Sequence, residues 1–89
     1  MKIKKGFVLR EVAGQYMVIA TGEASKNFHG MIKLNETGKD VWVGVQDGLN
    51  VDEIVEKMMN KYEGVEENVI RKDVIKVINV MKEHEFITE

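Results

Sequence analysis

The sequence has 89 residues with a net charge of −2; 44% of them are apolar and 31% are charged, as in a small globular protein. It contains no cysteine, which excludes disulfides, thiolate metal sites and a cysteine nucleophile. No apolar run reaches the length of a signal-peptide core or a membrane span. We therefore expect one domain over residues 1–89, located in the cytoplasm.

Two β-branched and aromatic runs open the chain, at residues 7–12 and 15–21. They are separated by Ala13-Gly14, a spacing that predicts a β-hairpin with a tight turn. A nine-residue connection bounded by Gly22 and Gly30 leads to a third short strand at residues 31–34. We expect this third strand to lie at an edge of the sheet.

A first helix is predicted over residues 36–46, directly after the third strand. The side chain of Asn35 is suited to cap it, and Asp47-Gly48 is suited to end it. Asn50 and Glu53 then have the spacing of a capping box, which predicts the start of a second helix that ends before Gly64.

The last and longest helix is predicted from about residue 66. Its core-facing stripe consists of apolar residues that fall within an arc of roughly 100° at 3.6 residues per turn: Ile70, Val74, Val77, Ile78 and Met81. Val69 and Val80 add apolar surface on one flank of that stripe. The predicted fold is α+β, with an N-terminal three-stranded antiparallel sheet followed by three helices in a winged helix-turn-helix-like arrangement.

Catalytic and metal-binding chemistry is poorly supported by the residues. His29 and His84 lack the spacing of a metal pair, and Ser25 has no neighbouring base in the sequence. Trp42, Met58 and Met59 are interpreted as core residues rather than as a binding surface. We therefore predict no catalytic residue, no metal and no cofactor.

Charge is distributed unevenly along the chain. Residues 1–35 carry six basic and two acidic residues, whereas residues 36–89 carry seven basic and thirteen acidic ones. A helix that enters a DNA groove relies on Lys and Arg to neutralise phosphates, and the helices belong to the acidic part. Regulation through DNA is therefore the least favoured function.

Several short motifs together resemble those of the pyrroloquinoline quinone biosynthesis protein D family. In chain order they are Leu34-Asn-Glu-Thr-Gly38, Val41-Trp42, Asp47-Gly48, Val51-Asp-Glu-Ile-Val55 and Asp73-Val74. The resemblance covers nearly the whole chain. Two departures are the long connection from Gly22 to Gly30 and the absence of a glycine before the last apolar pair, in Lys82-Glu-His-Glu-Phe-Ile87.

The resemblance implies a non-catalytic peptide chaperone, a recognition element for ribosomally made and modified peptides. Members of the family capture the leader segment of a precursor peptide as a strand added to the third strand, and present it to a modifying enzyme, often a radical S-adenosylmethionine enzyme. The leader lies in the groove between that strand and the last helix. By position, the expected strand contacts are Gly30, Met31, Ile32, Lys33 and Leu34, with Ile32 and Leu34 contributing either side chains or backbone alone. On one flank of the last helix, the expected contacts are Val69, Asp73, Lys76, Val77 and Val80.

The excess of basic residues in the first part of the chain favours an acidic leader, and replacing Lys33 by glutamate should then weaken binding at low salt. The edge strand could also pair with a second copy, so we expect a monomer or a weak homodimer without nucleic acid or membrane partners. The alternative hypothesis is a structural or regulatory docking subunit that binds no leader.

Overall fold

The computed structural model describes residues 1–27 and 31–88. Its strands are β1 (Lys2–Ile3), β2 (Phe7–Val12), β3 (Gln15–Ala20), β4 (Met31–Leu34) and β5 (Ile87–Thr88). Its helices are α1 (Ala24–Asn27), α2 (Glu36–Gln46), α3 (Val51–Lys61) and α4 (Glu67–Glu83). The predicted α+β architecture, a three-stranded sheet followed by three helices, is confirmed.

Strands β2, β3 and β4 form an antiparallel sheet in that order. Val12 pairs with Gln15, so the predicted hairpin turns over two residues. Both turn residues have positive φ, 52° at Ala13 and 78° at Gly14, which matches the twist of the flanking strands. The hairpin prediction is confirmed.

Three short elements are absent from the sequence-based prediction. Strands β1 and β5 pair antiparallel as a separate two-stranded sheet, and the Lys4 amide donates to the Phe86 carbonyl at 2.7 Å beside them. Helix α1 lies within the connection that follows Gly22. Strands of two residues and a helix of a single turn are too short to show a period in the sequence.

The predicted helix caps of α2 and α3 are present. Asn35 Oδ1 accepts from the Gly38 amide at 2.8 Å. Asn50 and Glu53 form the reciprocal capping box, at 2.9 and 3.0 Å. Helix α2 ends at the predicted position, where Gly48 has a φ of 83°.

The end of α4 explains one departure from the family pattern. Glu85 has a φ of 60°, a left-handed conformation that glycine adopts at much lower cost. Its amide donates to the Lys82 carbonyl at 3.0 Å, and the Phe86 amide donates to the Met81 carbonyl at 2.8 Å. These two bonds form a Schellman motif in which glutamate occupies the usual glycine position.

The core lies between one face of the sheet and helices α2, α3 and α4. Trp42 and Phe86 are its largest fully buried side chains, in edge-to-face contact with ring centroids 5.7 Å apart. Helices α2 and α3 cross closely, since a Cβ on Gly44 would lie 2.6 Å from Ile54 Cγ1. The predicted core positions of Trp42 and Met58 are confirmed, and Met59 is half-buried against the core.

Candidate binding groove

A groove of about 500 Å³ lies between the end of β4, the first turn of α2 and one side of α4. Apolar side chains from the strand and the long helix share its walls with polar and charged groups. The residues that line it are Lys33, Leu34, Asn35, Thr37, Gly38, Asp73, Lys76, Val77 and Val80.

Strand β4 forms one wall and presents an open edge. Within the described residues, β4 pairs only with β3, on one side. Ile32 and Leu34 pack against the core, whereas Met31 and Lys33 are exposed on the opposite face. On the outer edge of such a strand, the N–H and C=O groups of alternate residues point away from the sheet and can accept another strand.

The first turn of α2 forms the end of the groove. A Cβ on Gly38 would lie 3.2 Å from Asn35 Oδ1 and 3.4 Å from the Leu34 side chain, so glycine permits the helix to start tightly against the strand. Asn35, Thr37 and Gly38 were not predicted as groove residues. The signal was present, because a helix that begins directly after an edge strand must place its first turn beside that edge.

Helix α4 forms the opposite wall through one exposed stripe. Asp73, Lys76, Val77 and Val80 are spaced three, one and three residues apart, which places them on one side of a helix. Val77 is half-buried, and Val80 is 40% exposed. Val69 continues the stripe one turn before Asp73 and is 49% exposed, but it does not line the groove.

The structure brings together six of the ten residues predicted to contact a peptide: Lys33, Leu34, Asp73, Lys76, Val77 and Val80. Met31 and Ile32 lie on the same strand but outside the groove lining, and Val69 lies beyond its end. Gly30 is outside the described residues.

The groove carries more positive than negative charge. Lys33 and Lys76 contribute two ammonium groups, and Asp73 contributes one carboxylate. Within residues 1–27 and 31–88, none of these three side chains forms an ion pair. Both lysines can therefore bind a carboxylate without first breaking an existing pair.

A separate polar cluster joins α2 to α3. Lys61 Nζ donates to Glu36 at 2.8 Å and to Asp40 at 2.9 Å, and Tyr62 Oη also donates to Asp40. Burial alone would raise the pKa of Asp40, but the hydrogen bonds from Tyr62 and Lys61 outweigh it and lower that pKa. Hydrogen bonds to Glu36 and Asp40 raise the pKa of Lys61. Every group in the cluster has a partner, which indicates a structural role.

Metal-ligating side chains do not cluster in threes anywhere in the described part of the chain. His84 stacks on Phe86, with ring centroids 5.3 Å apart, and His29 lies outside the described residues. None of the helices in residues 1–27 and 31–88 combines the length and the apolar character that a membrane span requires.

The fold and the groove define a class of small α+β domain, in which an open strand edge lies beside an exposed helix stripe. A protein-family model described as Coenzyme PQQ synthesis protein D (PqqD) matches residues 8–87. The chain belongs to the PqqD family.

Two solved structures share this fold. "TbiB1 in Complex with the TbiA(beta) Leader Peptide" aligns with a TM-score of 0.77 and 17% identity, over 97% of this chain and 93% of that one. "Lasso peptide synthetase B1 complexed with the leader peptide" aligns with a TM-score of 0.74 and 14% identity, over 93% of this chain and 91% of that one. The comparison with curated protein sequences gives no match.

Proposed function

We propose that this chain is a non-catalytic recognition element that binds the leader segment of a precursor peptide and presents it to a modifying enzyme. The observation that carries the proposal is the open edge of β4 beside the exposed stripe of α4. An exposed edge offers main-chain hydrogen bonds, and the adjacent groove offers pockets for side chains. Both similar solved structures are complexes with a leader peptide, which supports this assignment.

In this proposal the leader lies antiparallel or parallel to β4 as a fourth strand of the sheet. Alternate leader side chains then point towards α4, where Val77 and Val80 provide apolar contact. Lys33 and Lys76 favour a leader with carboxylates near these apolar residues. Val69 and Met31 would contact the leader beyond the two ends of the groove.

The leader alone is expected to be disordered, so ordering it offsets about 2–5 kcal/mol of the interaction energy. A modest affinity suits a protein that must release the peptide to an enzyme. We propose that this enzyme is of the radical S-adenosylmethionine type and that the complex forms in the cytoplasm, with the chain itself as a monomer or a weak homodimer.

An N-methyl scan of the leader tests strand addition directly. The probe is a fluorescent synthetic leader of the precursor peptide encoded nearest to this chain's gene, and each derivative carries one N-methyl group at successive backbone positions. Only alternate amides of an added strand face β4, so affinity should fall at every second position. The N-methyl derivatives at the intervening positions serve as matched controls.

If the positions at which N-methylation lowers affinity did not alternate along the leader, the leader would not bind as a strand. No binding of the unmodified leader at high excess would contradict leader recognition itself and would favour the structural or regulatory docking role.

A further inference from the structure

The outer face of the three-stranded sheet, which points away from the helices, carries four adjacent apolar side chains, of which Met31 is exposed and the other three are half-buried. The register places Val8, Ile19 and Met31 side by side across the three strands, and Met17 lies beside them in the next row. Met31 is 63% exposed. None of these four side chains belongs to the core or packs against it.

No described helix packs over this face, because the buried strand residues Phe7 and Val18 point to the opposite side, where the helices lie. Adjacent apolar residues on three neighbouring strands form one continuous patch, which is unusual for a surface exposed only to water. The outer face therefore has the character of an interaction surface that adjoins the groove along β4, since Lys33 lies on this face and also lines the groove.

The charge on this face indicates the chemistry of its partner. Arg10 and Lys33 flank Met17 in a single cross-strand row. The outward-facing residues of β2, β3 and β4 include no carboxylate, since Glu11 belongs to the inner-facing set with Tyr16. Two copies joined through this face would bring like charges together, which disfavours self-association and favours a partner with carboxylates around an apolar centre.

Strand addition at β4 would extend this face. A leader bound to β4 continues both cross-strand rows, so every second leader side chain would lie next to Met31 or Lys33 on the outer face. A protein docked there would contact the sheet and the leader at the same time. This step rests on the proposed function.

We propose that the outer face of the sheet docks the enzyme that modifies the bound peptide, through an apolar enzyme surface bordered by carboxylates. The groove and the outer face then have different tasks: the α4 side holds the leader, and the outer side recruits the enzyme to it. Because the bound leader borders both surfaces, the enzyme should bind the leader-bound chain more tightly than the chain without a leader.

The test uses the full chain, the synthetic leader and the modifying enzyme encoded beside the precursor gene. Arg10→Glu and Met17→Asn alter the outer face without touching a groove residue, and Lys72→Glu reverses a charge on an exposed part of α4 as the matched control. Dissociation constants are measured for the leader and for the enzyme in separate titrations, and melting temperatures confirm that each variant folds.

We expect both outer-face variants to weaken enzyme binding at least about tenfold and to change leader affinity less than about twofold, with the control unchanged in both titrations. Unchanged enzyme affinity in both variants, or no enzyme binding by the unaltered chain, would overturn the docking proposal while leader binding still stands. A homodimer that Arg10→Glu dissociates would also overturn it. Failure of the leader to bind would instead refute the proposed function.

Discussion

Replacing Val80 by aspartate is the sharpest test of the groove. Val80 is 40% exposed, so a bound leader can still cover that share of its surface. Full burial of a valine stabilises by about 1.5–3 kcal/mol, so the lost contact amounts to about 1 kcal/mol. Burying a poorly paired carboxylate adds roughly 1–3 kcal/mol. The combined loss of about 2–4 kcal/mol corresponds to leader binding about 30- to 700-fold weaker.

The matched control is Ile75→Asp, because Ile75 is also an exposed apolar residue on α4, at 44%, but it does not line the groove. Both variants change the net charge equally, and both side chains lie near a lysine on the same helix. Fluorescence anisotropy with the labelled leader gives the two affinities, and circular dichroism reports folding. Equal affinities in the two variants would refute the assignment of the groove.

Four further predictions concern charge, backbone strain and packing. Lys33→Glu should weaken binding of an acidic leader about 3- to 10-fold at low salt and much less at about 0.5 M salt; an unchanged low-salt affinity would remove the acidic preference. Glu85→Gly should raise the melting temperature by about 4–8 °C, since glycine relieves the left-handed strain, and a decrease would contradict the Schellman interpretation. Gly44→Ala should destabilise the fold by about 1–3 kcal/mol in urea titrations because the added methyl collides with Ile54; a more stable variant would show that the helices can separate freely. The lowered pKa of Asp40, set by hydrogen bonds that outweigh burial, stabilises the fold above about pH 4 and loses this effect as pH falls through that pKa. The melting temperatures of the unaltered chain and Asp40→Asn should therefore differ at pH 5–7 and converge below about pH 4, whereas a difference that grows with acidity would contradict this sign.

The elements predicted correctly are those with several periods or a specific terminal signal. Helix α4 is long enough for its apolar stripe to stand out, and the Asn50 capping box fixes the start of α3. The two-residue loop Ala13-Gly14 determines the hairpin register. In each case residues close together in the chain determine the local structure, so the sequence alone is sufficient to predict the element.

The parts that were missed depend on contacts between distant residues. Strands β1 and β5 pair residues from the two ends of the chain. Neither strand has a recognisable sequence pattern of its own, and the pairing depends on how the core brings the two ends together. Asn35, Thr37 and Gly38 differ, because their place in the turn directly after an edge strand already indicates that they border that edge.

The most direct test of leader recognition is a nuclear magnetic resonance titration of the isotope-labelled chain with the leader of the precursor peptide encoded nearest to its gene, followed by amide hydrogen exchange on the complex. We predict shifts in β4 and on the groove side of α4, and new exchange protection at two alternate amides within Met31–Leu34, because only these point outward from the edge. Shifts confined to other surfaces, or β4 amides that exchange as fast with leader as without it, would contradict strand addition at this edge.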